Sequence, residues 1–213
     1  MNKLTTTKIN FGCFATNLPN WINIDNCLRH IILSKIPGAA FLIHKIGLIN
    51  DPVYLEHKKG SFLNVKYGDM TKKLKFMNKS VDFIYTSHTL EHLFPEDARQ
   101  FLKECFRILN DEGVIRIIVP DLELQSRKYI NNLDRFKNSN AEALNNSILY
   151  AYTAKEGQKN GHKWLYDFYY LKRVLEDCGF KRILRRNSKE GVTPDIDKLD
   201  HYEDSLIVEA FKI

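Results

Sequence analysis

The apolar residues of this chain fall into short β-branched runs and longer amphipathic stretches. The runs VDFIY at 81–85 and VIRIIV at 114–119 are typical of parallel strands that are covered on both faces. Between them, apolar residues recur at helical spacing, which predicts a helix over 95–110 with one face on a sheet. The same pattern predicts strands at about 8–12, 21–25, 63–67, 81–86, 114–119, 181–187 and 205–212, and helices near 28–35, 39–48, 95–110, 122–133, 139–156 and 168–178.

Polar side chains stand where two of these strands end. Ser87 and His88 follow the run at 81–85, and Asp121 follows the run at 114–119. In open α/β sheets, ligands bind outside the carboxyl ends of the strands. We therefore expect a ligand site at this edge. Asp121 has a second possible role as the cap of the next helix.

Several segments resemble one known family. DFIYTSHTLEHL, KECFRILNDEG and IRIIVPD are similar to the second half of class I S-adenosylmethionine-dependent methyltransferases, above all the small bacterial enzymes of polysaccharide and secondary-metabolite gene sets. KINFGCFATNLPNWINID resembles that family's first strand, glycine loop and second strand, and HKWLYDFYYLKRVLEDCGF resembles its carboxyl-terminal part. The resemblance covers roughly residues 8 to 213.

The resemblance implies a fold and a reaction. The fold is an α/β, Rossmann-like sheet of about seven mostly parallel strands, with the last strand antiparallel and helices on both faces, in a single domain over 1–213. The reaction is methyl transfer from S-adenosyl-L-methionine to a small or carrier-linked acceptor such as a sugar or glycan precursor. The alternative is a catalytically silent methyltransferase-like domain that binds a ligand or partner.

Two crossovers depart from the family plan. Only eight residues separate Gly12 from Trp21, so the first crossover helix must be reduced or lost. Conversely, residues 28–49 carry more apolar surface than one sheet-covering helix needs. We predict a helical lid or substrate platform at about 27–62, with peripheral membrane contact through 28–49 as a further role. The alternative is a helical hairpin packed on the sheet. Lys35 and Pro37 interrupt this stretch and argue against a spanning helix.

The resemblance also assigns residues to the methyl donor. Asp25 fits the ribose hydroxyls, whereas Asp69 fits the adenine amino group with Met70 beside the ring. Both carboxylates have the alternative role of helix caps or turn formers. The glycine loop, residues Phe11, Gly12, Cys13 and Phe14, together with Ser87 and His88, would surround the methionine end.

Phe14 occupies the position of the family's second loop glycine. It must either adopt an ordinary conformation with its ring turned away, or intrude on the methionine end of the donor. Asn20 replaces the glycine of a Pro-Gly pair, and asparagine tolerates the left-handed region of a type II turn.

Two histidines are candidates for the acceptor side. His92 and His162 could each remove the acceptor's proton, and Asp167 is a plausible cap for the helix that follows His162. His92 has the alternative of a structural role, satisfied by Glu91 or by backbone. His88 to His92 also spells the inverted zinc-peptidase pattern, but no third ligand can be identified, so no metal is expected.

Charge and cysteine content limit the partners. The formal net charge is +6 and the pI is about 9.0, but only residues 181–186 form a tight basic cluster. In a strand, Arg185 and Arg186 point to opposite faces, so nucleic-acid binding is not expected. The four cysteines form no C-x-x-C pair, and no signal peptide can be identified. A reducing cytoplasmic location is therefore expected.

Overall fold

The sheet has the predicted strand content and direction. The computed structural model describes residues 6–16, 18–137 and 161–213, and these form a seven-stranded sheet of order β3-β2-β1-β4-β5-β7-β6. Neighbouring strands are parallel except for β7, which runs antiparallel to both β5 and β6. The strands are β1 (Lys8–Phe11), β2 (Ile22–Asp25), β3 (Val65–Tyr67), β4 (Val81–Ser87), β5 (Leu109–Pro120), β6 (Lys181–Arg186) and β7 (Ser205–Phe211).

Most predicted helices are present, and two short ones were not predicted. The helices are α1 (Leu28–Ser34), α2 (Ala39–Lys45), α3 (Asp51–Lys59), α4 (Pro95–Ile108), α5 (Leu122–Lys137), α6 (Phe168–Asp177) and α7 (Ile196–Leu199). A 3-10 turn covers Leu90–His92. The predicted helix at 139–156 lies outside the described residues.

Local signals build α3 without an apolar face. The Asn50 side chain accepts from the Val53 N–H at 3.1 Å, and Gly60 ends the helix in the left-handed region. None of its residues is buried, so the hydrophobic pattern could not detect it.

One face of the sheet carries the main core. Helices α4 and α6 place Phe101, Leu102 and Leu171 in a fully buried cluster with strand residues such as Ile84 and Ile117. This packing anchors β1 and β4 and thereby places the polar residues that follow them.

The opposite face of the sheet is covered by residues of the segment between β6 and β7. The described part of the β1–β2 connection contains no helix, which confirms the predicted loss of the first crossover helix. Instead, Leu199 packs with Trp21 and Tyr85. The Tyr85 hydroxyl donates to the Leu199 carbonyl at 2.8 Å, and the Trp21 indole donates to Asp195 at 2.9 Å. Residues 188–204 therefore act as a cover for the sheet.

A buried ion network fixes that cover. Arg116 lies on β5 with no solvent exposure and contacts two fully buried carboxylates. Its Nε lies 3.1 Å from Asp200 Oδ1, and its Nη1 lies 3.2 Å from Glu209 Oε1. Burial alone would raise the pKa of Glu209. Hydrogen bonds from Thr193 and Val192 and the charge of Arg116 outweigh it, so the pKa is lowered overall.

The two arginines of β6 point to opposite faces, as predicted. Arg185 pairs with Asp121 and Glu123, whereas Arg186 pairs with Glu209. The basic cluster is thus partly neutralised by carboxylates within the fold.

The helices after β2 leave much apolar surface exposed. Ile31 of α1 is buried against Val65 and Cys13, but α2 and α3 contain no buried residue. The predicted lid or substrate platform at about 27–62 stays a prediction. Among the described residues, no helix is both long enough and apolar enough to cross a bilayer. The exposed apolar side chains of this region are Leu28, Ile32, Ile36, Phe41, Leu42, Ile46, Leu48 and Leu55.

Candidate active site

A cleft opens at the carboxyl ends of β1, β2 and β4. It brings together six of the residues singled out in the sequence, and it adds residues of α1 and of the turn after β4. The predicted residues in its wall are Gly12, Phe14, Asp25, Met70, His88 and His92; the others are Asn26, Cys27, Leu28, Arg29, His30, Thr89 and Leu93.

Gly12 lets the β1 loop approach the turn after β4. It has a φ of +68°, and a Cβ at this position would overlap the Thr89 side chain. Its N–H donates to the Ile24 carbonyl at 2.8 Å. The close approach leaves backbone, with no side chain, at the base of the cleft.

Phe14 holds the backbone conformation that a glycine would adopt. Its φ is +43°, so the ordinary conformation considered above is wrong. Its N–H donates to Asp25 Oδ2 at 2.7 Å, which holds the loop in place. The residue is 42% exposed, and its ring lies edge-on to Phe62 and His30, with centroids 5.2 and 5.8 Å away. The ring therefore forms part of the cleft wall. Asn20 has a φ of +72°, as the turn prediction requires.

The left-handed backbone of Phe14 predicts that a glycine variant is more stable than an alanine variant. We expect Phe14→Gly to be more stable than Phe14→Ala by about 1 kcal/mol, because only glycine adopts the left-handed region without a Cβ penalty. Both variants lose the same ring contacts, so urea denaturation of the pair isolates the backbone effect. An alanine variant as stable as the glycine variant would show that the loop relaxes to an ordinary conformation.

Asp25 organises the turn and still faces the cleft. Oδ2 accepts from the Phe14 N–H, and Oδ1 accepts from the Cys27 N–H at 2.8 Å. The turn-forming role weighed in the sequence is therefore present. A carboxylate has about four acceptor positions, so each oxygen can accept one further hydrogen bond. Burial and the charge of Asp25 raise the pKa of Cys27 to about 12, which keeps that thiol neutral.

Asp69 lies outside this cleft, in a neighbouring apolar one. The neighbouring cleft is lined by Phe11, Ile24 and Phe76 among others, and Met70 lines both. Asp69 Oδ1 accepts from the Thr71 N–H at 3.0 Å and from its hydroxyl at 2.7 Å. These hydrogen bonds lower the pKa of Asp69.

Three further predicted residues do not line the main cleft. The Phe11 ring is fully buried against Phe101 at a centroid distance of 5.2 Å. Cys13 is also buried, and burial raises the pKa of its thiol. Ser87 ends β4 with a buried hydroxyl. Any contact of Phe11 with a donor at the main cleft would have to come through its backbone.

His88 lies at the elbow between β4 and the 3-10 turn. Its φ is +48°, its Nε2 lies 3.2 Å from the Ser205 hydroxyl, and its ring centroid lies 4.1 Å from that of Tyr202. Because the residues that follow form a 3-10 turn, His88 and His92 do not share the face of an α-helix. The helix required by the inverted zinc-peptidase pattern is not formed here.

The two candidate acceptor-side histidines meet in space. The ring centroids of His92 and His162 are 4.9 Å apart at an interplanar angle of 74°. His92 Nδ1 lies 3.4 Å from the Gly161 carbonyl. The backbone contact considered for a structural role of His92 is therefore present. The Lys163 and Trp164 N–H groups donate to the Glu91 carbonyl at 2.6 and 3.2 Å. These bonds dock residues 161–164 on the 3-10 turn.

Glu91 is a buried acidic residue next to the cleft-lining His92, and sequence reasoning did not single it out. Its side chain is 0% exposed and its Oε1 lies 3.3 Å from His88 Nδ1. The available signal was its central position in SHTLEH, where we treated it only as a partner for His92.

Asp121 and Asp167 act as helix caps. Asp121 Oδ1 accepts from the Leu124 N–H at 3.2 Å, and its other oxygen pairs with Arg185. Asp167 Oδ1 accepts from the Tyr170 N–H at 2.8 Å. Asp121 is almost fully buried, which leaves little of it for an acceptor.

Comparisons with known proteins agree with this geometry. Residues 51–117 match the family model for the methyltransferase domain. A protein of Mycolicibacterium smegmatis, named as a probable S-adenosylmethionine-dependent methyltransferase, is 31% identical over 78 residues. That match covers 36% of this chain and 29% of the relative, so it spans less than a third of the relative's length.

Solved structures share the fold across almost the whole chain. A possible histamine N-methyltransferase from Thermotoga maritima aligns at a TM-score of 0.51 with 14% identity, covering 97% of this chain and 82% of the other. A putative O-methyltransferase from Nostoc punctiforme aligns at 0.50 with 12% identity, covering 99% and 53%. The chain has the fold of class I S-adenosylmethionine-dependent methyltransferases, and its residues 51–117 match their methyltransferase domain. The predicted fold is confirmed, and the donor that the family implies is S-adenosyl-L-methionine. At these identities the two structures support the fold alone, and their different acceptors leave the acceptor of this chain open.

Proposed function

We propose that this protein transfers the methyl group of S-adenosylmethionine to a small or carrier-linked acceptor, such as a sugar or glycan precursor. The observation that carries the proposal is the arrangement of one cleft, with the Asp25 carboxylate on one side and His92 on the other. Gly12 contributes exposed backbone between them. The polysaccharide setting rests only on the resemblance of the sequence.

The residues present fit the donor. The acceptor positions left on Asp25 suit a pair of ribose hydroxyls, and Met70 offers an apolar contact for the adenine where the two clefts meet. Asp69 Oδ2 makes no hydrogen bond to Thr71 and lies 3.7 Å from Lys72 Nζ, so it could still accept from the adenine amino group. His88 would then lie beside the methionine end.

Methyl transfer asks mainly for alignment. An in-line displacement needs the acceptor atom and the methyl carbon to be held in contact and in line. His92 faces the cleft and His162 contacts His92, so either imidazole could take the proton that the acceptor loses. The exposed apolar side chains of α1 and α2 would serve as a platform for the acceptor or as a peripheral membrane contact.

One observation favours a second function, a silent domain that binds a ligand without transfer. Phe14 places a ring in the cleft wall where the family uses glycine. Calorimetric titration with S-adenosylhomocysteine tests whether the donor binds, and no binding at millimolar ligand would favour the silent domain. Release of S-adenosylhomocysteine from the methyl donor in the presence of an acceptor separates the enzyme from a silent domain that binds the donor.

Asp25→Asn and Asp25→Ala are expected to weaken S-adenosylhomocysteine binding. The expected loss is about 1–3 kcal/mol, roughly 5- to 150-fold in Kd, since hydrogen bonds to a charged group would be lost. Because Asp25 also holds the Phe14 and Cys27 amides, thermal unfolding must show that each variant is folded. Asp111→Ala, which breaks only the exposed pair with Lys79, is the matched control. Unchanged affinity in both Asp25 variants would restrict Asp25 to its turn role.

A further inference from the structure

Three side chains with metal-binding atoms converge at the acceptor end of the cleft. Glu91, His92 and His162 each offer one ligand atom, and these three atoms lie within 4.8 Å of one another. The group combines a buried carboxylate, an exposed imidazole and a half-buried imidazole. Such a set can bind an ion from the protein side while leaving a coordination position open toward solvent.

The environment of Glu91 favours a bound cation. Its side chain has no solvent exposure, and neither carboxylate oxygen makes a hydrogen bond to any described residue. A buried carboxylate without hydrogen bonds is costly unless a positive charge compensates it. His88 Nδ1, 3.3 Å from Oε1, makes no hydrogen bond to Glu91 and forms an ion pair with it only when the imidazole is protonated. Glu91 therefore has acceptor capacity directed at a site that already contains two imidazoles.

Backbone hydrogen bonds hold the segments that carry these three side chains next to each other. The Glu91 carbonyl accepts from the N–H groups of both Lys163 and Trp164. Residues 161–164 are thus fixed to the turn that carries Glu91 and His92. Tetrahedral coordination at about 2.0–2.1 Å requires ligand atoms roughly 3.3 Å apart, so the three side chains would have to move closer together from their spacing of up to 4.8 Å.

We propose that Glu91, His92 and His162 bind one divalent transition-metal cation. Two imidazoles and a carboxylate suit zinc better than magnesium or calcium, which prefer oxygen ligands. Three protein ligands leave a position for a further ligand, as catalytic sites do. His162 is the third ligand that could not be identified in the sequence, and it joins Glu91 and His92 without His88.

The cation also narrows the class of acceptor. This step rests on the proposed methyl transfer. Because His92 lines the donor cleft, the open position would face a hydroxyl group of the acceptor. Coordination lowers the pKa of a bound hydroxyl, so its proton leaves to water. The oxygen then forms a bond to the methyl carbon while the carbon–sulfur bond breaks and its electrons remain on sulfur. The products are a methyl ether and S-adenosylhomocysteine. When the cation is bound, His92 and His162 are its ligands. The cation then promotes loss of the acceptor's proton, the role proposed above for a free imidazole.

Calorimetric titration of chelator-treated protein with Zn²⁺ tests the site. We expect one ion per chain, bound with micromolar affinity or tighter. Glu91→Gln and His162→Asn should each weaken binding at least about tenfold, because loss of even an outer-shell partner of a ligand typically has that effect. Either variant suffices if the other fails to fold.

A second histidine pair supplies the matched control. His30 Nδ1 lies 3.2 Å from His57 Nε2, so His57→Asn removes a metal-prone imidazole away from the proposed site. Zn²⁺ affinity should be unchanged in this variant. No binding at millimolar Zn²⁺, or binding that depends on His57 and not on Glu91 or His162, would overturn the proposal. S-adenosylhomocysteine binding is measured separately, so Zn²⁺ binding without it would support the metal site while removing the methyltransferase function.

Discussion

Replacing Asp200 with alanine is expected to lower the free energy of unfolding by about 3–5 kcal/mol. The change leaves the fully buried Arg116 with only one of its two carboxylate partners, and breaking a buried ion pair from one side is costly by that amount. It also removes the acceptor of the Lys189 N–H, which helps to hold residues 188–204 on the sheet. Urea denaturation followed by tryptophan fluorescence measures the loss, and Trp21 reports directly on the cover because its indole bonds to Asp195.

Asp204→Ala is the matched control for this prediction. Asp204 is exposed and pairs with Lys128 on the surface. Its replacement should change stability by no more than about 1 kcal/mol, as is usual for exposed pairs. If Asp200→Ala cost no more than this control, the network would not be what holds the cover in place.

The positions of the strands could be predicted because the signal for a buried strand is local in the sequence. Buried parallel strands read as short β-branched runs, and polar residues at their ends mark the ligand edge. His88 was found in this way, whereas Asp25 and His92 were assigned from the resemblance of their segments to the methyltransferase family. By contrast, α3 depends on capping by Asn50 and Gly60 and has no buried residue, so the pattern of apolar residues does not predict it.

The cover and the acceptor end could not be predicted because they depend on contacts distant in sequence. Arg116 interrupts an apolar strand, and only the fold shows that Asp200 and Glu209 surround it. Likewise, His92 and His162 belong to segments with no fixed spacing, and hydrogen bonds to the Glu91 carbonyl bring them together. The left-handed conformation of Phe14 is contrary to its intrinsic preference and follows from the hydrogen bond to Asp25.

His92→Asn is expected to reduce turnover by roughly 10²–10⁴-fold while S-adenosylhomocysteine affinity is nearly retained. The substitution keeps polarity and approximate size but removes the titratable imidazole. The affinity should survive because the donor contacts proposed for Asp25 and Gly12 lie elsewhere in the cleft. Turnover is measured as S-adenosylhomocysteine release with the first acceptor that supports it in a panel of sugars and nucleotide sugars.

His201→Asn is the matched control, since His201 is an exposed histidine outside the cleft, and its activity should equal that of the wild type. Metal dependence then distinguishes the two roles open to His92. A free base should leave activity insensitive to a chelator, whereas a ligand should make wild-type activity fall on chelation and return with added Zn²⁺ or Mn²⁺. Full activity in His92→Asn would make His92 structural and leave His162 as the remaining candidate, because its ring is the one that contacts His92.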